Sequence, residues 1–300
     1  MKAPRIISIG EVLWDVFPDR ERFGGAPANF ACHAAIGGGD VMILSAVGDD
    51  PHGQQAIKIL EGYGIDTRLI QVAGGFATGT VEVALDSNGK PTYTITDNAA
   101  WDSVGWQDEL ADCIGEADVV YFGTLAQRAE PSCGTIRRCL SVARDAGVPR
   151  VCDINLRVPF FDADVIRTSI ELASVVKLSD EELFDTASAL GISSKDHEES
   201  LRQMVGNHSL DLAVMTRGAE GAMLVSPSGV VHQPSVPTEV HDTVGAGDAF
   251  TASFVLGMLA DIEHRELLKV SCEAASVVCG MSGAVPSLPM AAKPNRKKNA

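Results

Sequence analysis

The 300-residue sequence predicts a three-layer α/β/α domain with a mostly parallel central sheet and a small β-sheet lid. Short apolar runs suited to buried strands recur along the chain, and segments with helical periodicity lie between most of them. This alternation places helices on both faces of a parallel sheet. One stretch instead alternates apolar and polar residues without an intervening helix, and it predicts the lid.

The central sheet is predicted from six apolar runs, which are "RIISIG", "VMILSAVG", "DVVYFG", "RVCDIN", "VVKLS" and "LAVMTRG". Helical periodicity is clearest in "HGQQAIKILEGYG", "CGTIRRCLSVARDAG" and "EESLRQMVGNH". Because neither an internal repeat nor a linker interrupts this order, we expect residues 1–290 to form a single domain. The basic end of the chain, residues 291–300, is expected to be a flexible tail.

The lid is predicted to comprise residues 11–28 and 68–100. From about residue 69 to residue 96 the chain shows period-two alternation around "DSNGK", whose Asn88-Gly89 pair is a strong hairpin signal. These strands should be antiparallel and lie off the main sheet. A small sheet with one uncovered face needs a substrate or a second subunit over it, so a homodimer formed through the lid is expected.

Composition excludes several classes of protein. A net charge of −16 argues against a nucleic-acid partner, because phosphate recognition requires a basic face. The seven cysteines form no CxxC pair and are expected to be reduced. No run approaches the roughly 18 apolar residues of a membrane span, and the N-terminus is typical of a first strand. A soluble, cytoplasmic protein with no membrane partner is therefore expected.

Two glycine clusters are candidate ligand sites. The segment "HDTVGAGDAF" is either a tight loop whose Asp248 caps the following helix, or an anion site built from glycine amides and the helix dipole. It lacks the lysine of GxxxxGKS/T, and no dinucleotide GxGxxG follows a strand. In "RFGGAPANFACHAAIGGG", Gly25 and Asn29 form either a capped turn or, with Asp15 upstream, a site for a polyhydroxylated ligand.

Several motifs together resemble the ribokinase-like, or PfkB, family of carbohydrate kinases. They run from "SIGEVLWDVFP" and "FGGAPANFA" through "AVGDDPHGQQ" to "DTVGAGDAF" and "GAVPSLP". Within the family, "GEVLWDVFP", "GTLAQR" and "CDINLR" are most similar to fructokinases. The resemblance implies an ATP-dependent sugar kinase that phosphorylates fructose to fructose 6-phosphate. Another acceptor (2-keto-3-deoxygluconate, ribose or a nucleoside) or a non-catalytic binding protein remains an alternative.

The resemblance also assigns roles to residues near the reacting groups. Asp248 is implied to be the general base, and the amides of Gly245, Ala246 and Gly247 to form the anion hole. The residues implied to bind the sugar are Asp15, Gly25, Asn29 and Arg157. A structural alternative for Arg157 is a surface ion pair with Asp153 or Asp162.

The remaining roles implied by the resemblance concern ATP and metal ions. Lys177, Ser179, Thr216 and Gly218 are implied to bind the nucleotide. Glu182 is implied to hold magnesium (Mg²⁺) through water, and Asp242 to bind a monovalent cation, potassium (K⁺).

Several of these residues also have a structural alternative. Ser179 stands where many family members have asparagine, and "SDEEL" is equally a good helix start. Gly218 could serve only as a hairpin residue, and Asp242 could cap a turn.

Overall fold

The computed structural model describes residues 2–85 and 91–285, and within them the chain forms thirteen strands and nine α-helices. The strands are β1 (Arg5–Ile9), β2 (Leu13–Val16), β3 (Glu21–Gly24), β4 (Asp40–Gly48), β5 (Ile70–Ala73), β6 (Gly79–Leu85), β7 (Pro91–Ile95), β8 (Val119–Gly123), β9 (Arg150–Asp153), β10 (Val175–Ser179), β11 (Leu212–Thr216), β12 (Ala222–Ser226) and β13 (Gly229–Gln233). The helices are α1 (Ala26–Ile36), α2 (Pro51–Gly62), α3 (Glu109–Gly115), α4 (Ser132–Asp145), α5 (Ala163–Leu172), α6 (Asp180–Ala189), α7 (His197–His208), α8 (Ala246–Leu259) and α9 (His264–Cys279).

The central sheet has nine strands in the order β13-β12-β11-β10-β9-β8-β1-β4-β5. Every neighbouring pair from β11 to β5 in this order is parallel. Strands β12 and β13 add an antiparallel edge next to β11. All six predicted strands and all three predicted helices are present. The parallel strands are joined by helical crossovers that return the chain to the same end of the sheet, whereas β11 leads directly into the antiparallel strand β12.

Two apolar cores lie on opposite faces of this sheet. Neighbouring residues of β4 belong to different cores: Leu44 belongs to the core that includes residues of α3 to α7, and Ile43 to the core that includes residues of α1, α2, α8 and α9. Side chains of a strand alternate between its two faces, so a strand buried on both sides is a continuous apolar run. The predicted three-layer architecture is confirmed.

The lid is a separate four-stranded sheet in the order β3-β2-β6-β7. Its small core contains Leu13, Val81, Ala99 and the fully buried Trp101. Strands β6 and β7 pair in antiparallel register, as the hairpin signal predicts. The Asn88-Gly89 turn itself and the tail 291–300 lie outside the described residues.

One part of the predicted lid belongs to the main sheet. Strand β5 pairs in parallel with β4, with Ser45 opposite Ile70, so residues 70–73 form the edge of the nine-stranded sheet. The sequence prediction was wrong here because α2 lies before β5 and makes a β4-α2-β5 crossover. The run "IQVA" is too short to be distinguished from the lid strands that follow it.

Within the described residues, no helix is both long enough and apolar enough to cross a membrane.

We expect Gly79→Ala to destabilise the fold. A Cβ at Gly79 would lie 1.8 Å from the ring of Trp101, which is fully buried and cannot yield. Overpacking of this kind costs about 1–3 kcal/mol, measurable as a lower midpoint of thermal unfolding. Gly62→Ala is the matched control, because nothing lies within 4 Å of its Cβ position. Equal midpoints for the two variants would contradict the packing argument.

Candidate active site

Polar residues converge at the carboxyl edge of the central sheet. Strands β9, β10 and β11 end there at Asp153, Ser179 and Thr216, and the first turn of α8 faces the same edge. Parallel strands place their carboxyl ends side by side, which is where open α/β sheets bind ligands. Strand β2 of the lid carries Asp15. The positive charge of Arg157 acts on Asp15 and on two other acidic side chains at this edge, Glu11 and Asp248.

A left-handed glycine starts α8. Gly245 is the N-cap of the helix and has a φ of 80°, and a Cβ at this position would lie 2.3 Å from the carbonyl oxygen of Ala284. Both the backbone conformation and the close approach therefore require glycine. Asp248 is the third residue of α8, so the explanation of Asp248 as a helix cap is wrong.

The first turn of α8 presents free amides. Among the described residues, the N–H groups of Gly247 and Asp248 donate to no protein atom, whereas the amide of Ala246 reaches the carbonyl of Thr243 at 3.3 Å. Unpaired amides at the positive end of a helix dipole attract an anion. Of the three residues predicted to form the anion hole, Gly245 and Gly247 have amides that donate to no described protein atom, whereas the amide of Ala246 is partly used.

Asp248 is held by an amide side chain from α1. The Nδ2 atom of Asn29 donates to Oδ2 of Asp248 at 2.9 Å, which fixes the carboxylate beside the free amides. Burial raises the pKa of Asp248, while Asn29 and the charges of Lys177 and Arg157 oppose the rise. A carboxylate with a raised pKa is a better proton acceptor near neutral pH.

A buried ion pair lies beneath the same turn. The ammonium of Lys177 is 3.1 Å from Oδ1 of Asp153. The hydroxyl of Thr251 shares its one proton between Oδ2 of Asp153 at 3.2 Å and the carbonyl oxygen of Gly247 at 2.9 Å. Burial raises the pKa of Asp153 to about 6. Burial disfavours the charged form of Lys177, but the carboxylates of Asp153, Glu182 and Asp248 raise its pKa. Both groups are therefore charged at neutral pH.

The ammonium of Lys177 lies next to the first turn of α8. Its Nζ atom lies 3.3 Å from the point that a Cβ of Gly247 would occupy. A larger residue at 247 would press on the ammonium, whereas glycine leaves the positive charge next to the free amides. Lys177, although paired with Asp153, therefore places its ammonium next to the partial positive charges of the helix terminus.

Asp15 faces the site from the lid. Its Oδ2 atom lies 2.9 Å from the Cβ position of Gly24, and the next residue, Gly25, has a φ of 104°. Burial raises the pKa of Asp15 to about 6, and Arg157 and Arg22 partly offset this. Within the described residues the carboxylate accepts no hydrogen bond from protein, so its oxygens are available to ligand hydroxyl groups.

Glu11 is a buried acid that the sequence analysis missed. It is 2% exposed, its Oε1 atom accepts from the amide of Ala26 at 3.3 Å, and its Oε2 atom lacks a partner among the described residues. Burial raises its pKa to about 7. The available signal was its position, because a charged residue two places after a buried strand end lies at the ligand edge of the sheet.

Arg157 lies over the cleft on the loop after β9. Its charge lowers the pKa values of Glu11, Asp15 and Asp248. The alternative ion pairs do not form: Asp153 pairs with Lys177, and Asp162 caps α5 by accepting from two amides. Arg157 is exposed, so its guanidinium is accessible to a ligand anion or hydroxyl.

A cavity of about 580 Å³ opens beside the first turn of α8. The loop after β11, the segment before α8 and helix α9 form its walls, which are mostly apolar and include Val236, Val240 and Ala275. Of the residues predicted to bind nucleotide, Thr216 and Gly218 line it, whereas Lys177 and Ser179 lie outside the lining. An apolar slot that ends at free amides suits a flat ring attached to phosphates.

Glu182 caps the start of α6, which is the structural alternative that the sequence suggested to its role at magnesium. Its Oε2 atom accepts from the amide of Ser179 at 2.8 Å, and its Oε1 atom accepts from the amide of Leu156 at 2.7 Å. Ser179 is the N-cap of α6. In the described part of the chain no three acidic, histidine or cysteine side chains cluster into a metal cage.

Asp242 accepts hydrogen bonds at both of its carboxylate oxygens. Its Oδ2 atom is 3.0 Å from Nη1 of Arg22 and accepts from the amide of Gly283 at 3.1 Å, while Oδ1 accepts from the amide of Val244. Burial alone would raise the pKa of Asp242, but these amides and the guanidinium lower it. The carboxylate is therefore ionised and neutralised by a protein cation.

Comparison with known proteins gives a consistent picture. A family model described as pfkB family carbohydrate kinase matches residues 8–291. A fructokinase of Klebsiella pneumoniae is 30% identical over 266 residues, which cover 85% of each chain. The solved structure of an uncharacterized sugar kinase from Pyrococcus horikoshii in complex with ATP superposes with a TM-score of 0.79 at 28% identity and covers 93% of each chain. A fructokinase from Vibrio cholerae O395, with fructose, ADP and calcium bound, has a TM-score of 0.80 at 25% identity, covering 95% of this chain and 96% of that one.

We expect Glu11→Gln to stabilise the protein in a pH-dependent way. Folding raises the pKa of this carboxyl group from 4.5 to about 7. The group therefore lowers the free energy of unfolding most above pH 7 and not at all below pH 4.5. The variant should therefore gain on the order of 3 kcal/mol at about pH 8 and almost nothing near pH 4.5. Thermal unfolding across this range measures the difference. Glu239→Gln, which changes an exposed loop carboxylate, is the control. A gain that does not vary with pH would refute the burial argument.

Proposed function

Because the chain belongs to the pfkB family of carbohydrate kinases and is therefore a sugar kinase, we propose that it transfers the γ-phosphoryl group of ATP to fructose. The acceptor is proposed to be the 6-hydroxyl group, which gives fructose 6-phosphate and ADP. Relatives named fructokinase support this choice of sugar, as does the Vibrio cholerae fructokinase structure, which contains bound fructose.

The observation that carries the proposal is the placement of Asp248 beside the free amides of α8. In the proposed step the carboxylate of Asp248 takes the proton from the sugar hydroxyl while the oxygen of that hydroxyl attacks the γ-phosphorus. The bond from that phosphorus to the β–γ bridging oxygen breaks, and its electrons leave with ADP. The amides at Gly247 and Asp248 and the ammonium of Lys177 stabilise the negative charge that spreads over the transferred group.

The sugar is proposed to lie between the lid and Asp248. The free carboxylate of Asp15 would accept hydrogen bonds from its hydroxyl groups, and Arg157 would hold it from the open side. Asn29 donates to Asp248 through Nδ2, while its Oδ1 atom is buried without a partner among the described residues and is free for a substrate hydroxyl. Movement of the lid over the sugar would exclude water from the phosphoryl group.

The nucleotide is proposed to occupy the cavity beside α8. Its apolar walls suit the adenine ring, Thr216 and Gly218 lie at its edge, and the phosphates would extend to Gly247. The structure of the Pyrococcus horikoshii sugar kinase in complex with ATP supports this nucleotide.

Magnesium fits the acidic groups only as a hydrated ion. The carboxylate of Glu182 is fixed by two backbone amides, and each of its oxygens keeps a lone pair that could accept from a metal-bound water. The absence of an acidic cage in the described part of the chain suits a metal that keeps its waters and is held by phosphates. When bound, Mg²⁺ neutralises charge on the β- and γ-phosphates.

An acceptor panel tests the proposal. Purified protein is incubated with MgATP in a potassium buffer, and ADP release is measured with fructose, ribose, 2-keto-3-deoxygluconate and adenosine, and without any acceptor. We expect fructose to give the largest kcat/KM. Strong turnover with another acceptor alone would reject fructose, and release that does not depend on any acceptor would reject the kinase proposal for these substrates.

We expect Asp248→Asn to reduce kcat by a factor on the order of 10² to 10⁴, because the amide cannot take the sugar proton. The thermal midpoint should change little, since asparagine retains an oxygen that can accept from Asn29. Asp261→Asn, beyond the far end of α8, is the matched control; its positive φ of 56° suits asparagine. Full activity in the Asp248 variant would exclude this residue as the base.

A further inference from the structure

We infer that the guanidinium of Arg22 takes the place of a monovalent cation at Asp242, so that phosphoryl transfer requires no K⁺. The family resemblance assigned Asp242 to potassium as its one side-chain ligand. The structure places a protein cation on the same carboxylate, with Nη1 of Arg22 at 3.0 Å from Oδ2. This inference rests on the proposed function for its kinetic part and not for its binding part.

Arg22 is fixed at three points. It lies on lid strand β3 and reaches across to the main domain, where Nη1 binds Asp242 and Nη2 donates to the hydroxyl of Ser282 at 2.9 Å. Its guanidinium also lies 5.6 Å from the ring centroid of Phe17. The side chain of Arg22 is 29% exposed and that of Asp242 is 21% exposed, so water screens the pair only partly.

A potassium ion fits this carboxylate poorly. Oδ1 of Asp242 accepts from the amide of Val244, and Oδ2 accepts from both Arg22 and the amide of Gly283. A second cation would lie against the guanidinium and would gain little from a carboxylate that is already neutralised. The residues present therefore do not match the K⁺ site that the family resemblance implies.

A nearby backbone oxygen is also occupied. The carbonyl of Ala284 lies closest to the Cβ position of Gly245, and it is 2.9 Å from Nε2 of His33. A carbonyl oxygen can only accept, so the ring nitrogen of His33 carries the proton and donates it. An ion bound beside the turn would therefore share this oxygen with the N–H group of His33.

The place of Arg22 in the fold explains what its charge can do. Asp242 begins the short segment that leads to Gly245 and the free amides of α8, so the ion pair holds that segment in position. In the lid, Arg22 stands directly opposite Asp15 in the β2–β3 register. The same strand pair therefore carries the proposed sugar carboxylate and the cation that fixes the anion site. Arg22 is a positioning residue that acts through Asp242.

The kinetic test compares cations at constant ionic strength. Acceptor-dependent ADP release is measured in the chlorides of potassium, sodium and tetramethylammonium, the last being too large to replace K⁺. We expect the native protein to show kcat/KM values within about twofold of each other in the three salts. A several-fold requirement for K⁺ in the native protein would overturn the inference.

Two variants separate the cation role from a structural one. Arg22→Met keeps the length of the side chain and its packing on Phe17 but removes the charge. We expect it to lose at least about tenfold in kcat/KM in tetramethylammonium chloride and to recover most of this on addition of K⁺. Arg20→Met is the matched control, because Arg20 also stacks on Phe17 but pairs with the adjacent Asp19 instead of Asp242. It should behave like the native protein in all three salts.

A binding readout keeps the test independent of activity. Thermal unfolding is measured in potassium chloride and in tetramethylammonium chloride at equal concentration. We expect K⁺ to raise the midpoint of the Arg22→Met variant and to leave the native and Arg20→Met proteins unchanged. Either a potassium-specific shift in the native protein or none in the variant would overturn the inference. If no acceptor is phosphorylated in any salt, the proposed function fails, while these shifts still decide the role of Arg22.

Discussion

The buried ion pair between Lys177 and Asp153 constrains the whole reacting edge of the sheet. It joins neighbouring strands β9 and β10, and Thr251 ties the second oxygen of Asp153 to α8. A buried charge without a partner costs several kcal/mol, so separating any of these three elements would destabilise the fold. The same contact places the ammonium against Gly247, and the first turn of α8 is therefore positioned by the interior of the protein.

The cleft above this ion pair carries an excess of acidic groups. Burial raises the pKa values of Glu11, Asp15 and Asp248, and Arg157 is the cation that acts on all three. Groups with oxygens left free by the protein suit a ligand that brings many hydroxyl donors. The free amide of Gly247 lies on the neighbouring residue, next to the ammonium of Lys177. The two kinds of surface meet at this one carboxylate, which agrees with the proposed transfer from a phosphate to a hydroxyl.

Several motifs had two interpretations because helix capping and ligand binding use the same residue types. Short polar side chains and glycines satisfy or expose the amides of a first helical turn, whether the partner is a side chain or a bound anion. In "SDEEL" the capping interpretation holds, since Glu182 accepts from the amide of Ser179. In "GAGD" it does not, since Gly245 is the cap and Asp248 points to Asn29. Only the positions of distant partners distinguish the two cases.

The sequence by itself determined the layered α/β architecture, the six buried strands and the hairpin of the lid, because periodicity and turn chemistry are local properties of the chain. Motifs also led to Asp15, Asn29, Arg157 and Asp248. The tertiary structure alone decided that β5 joins the main sheet, that Glu11 is buried, and that Arg22 meets Asp242 across 220 residues of sequence. Which strands pair and which charges meet depends on packing between segments far apart in the chain, and local patterns carry no record of it.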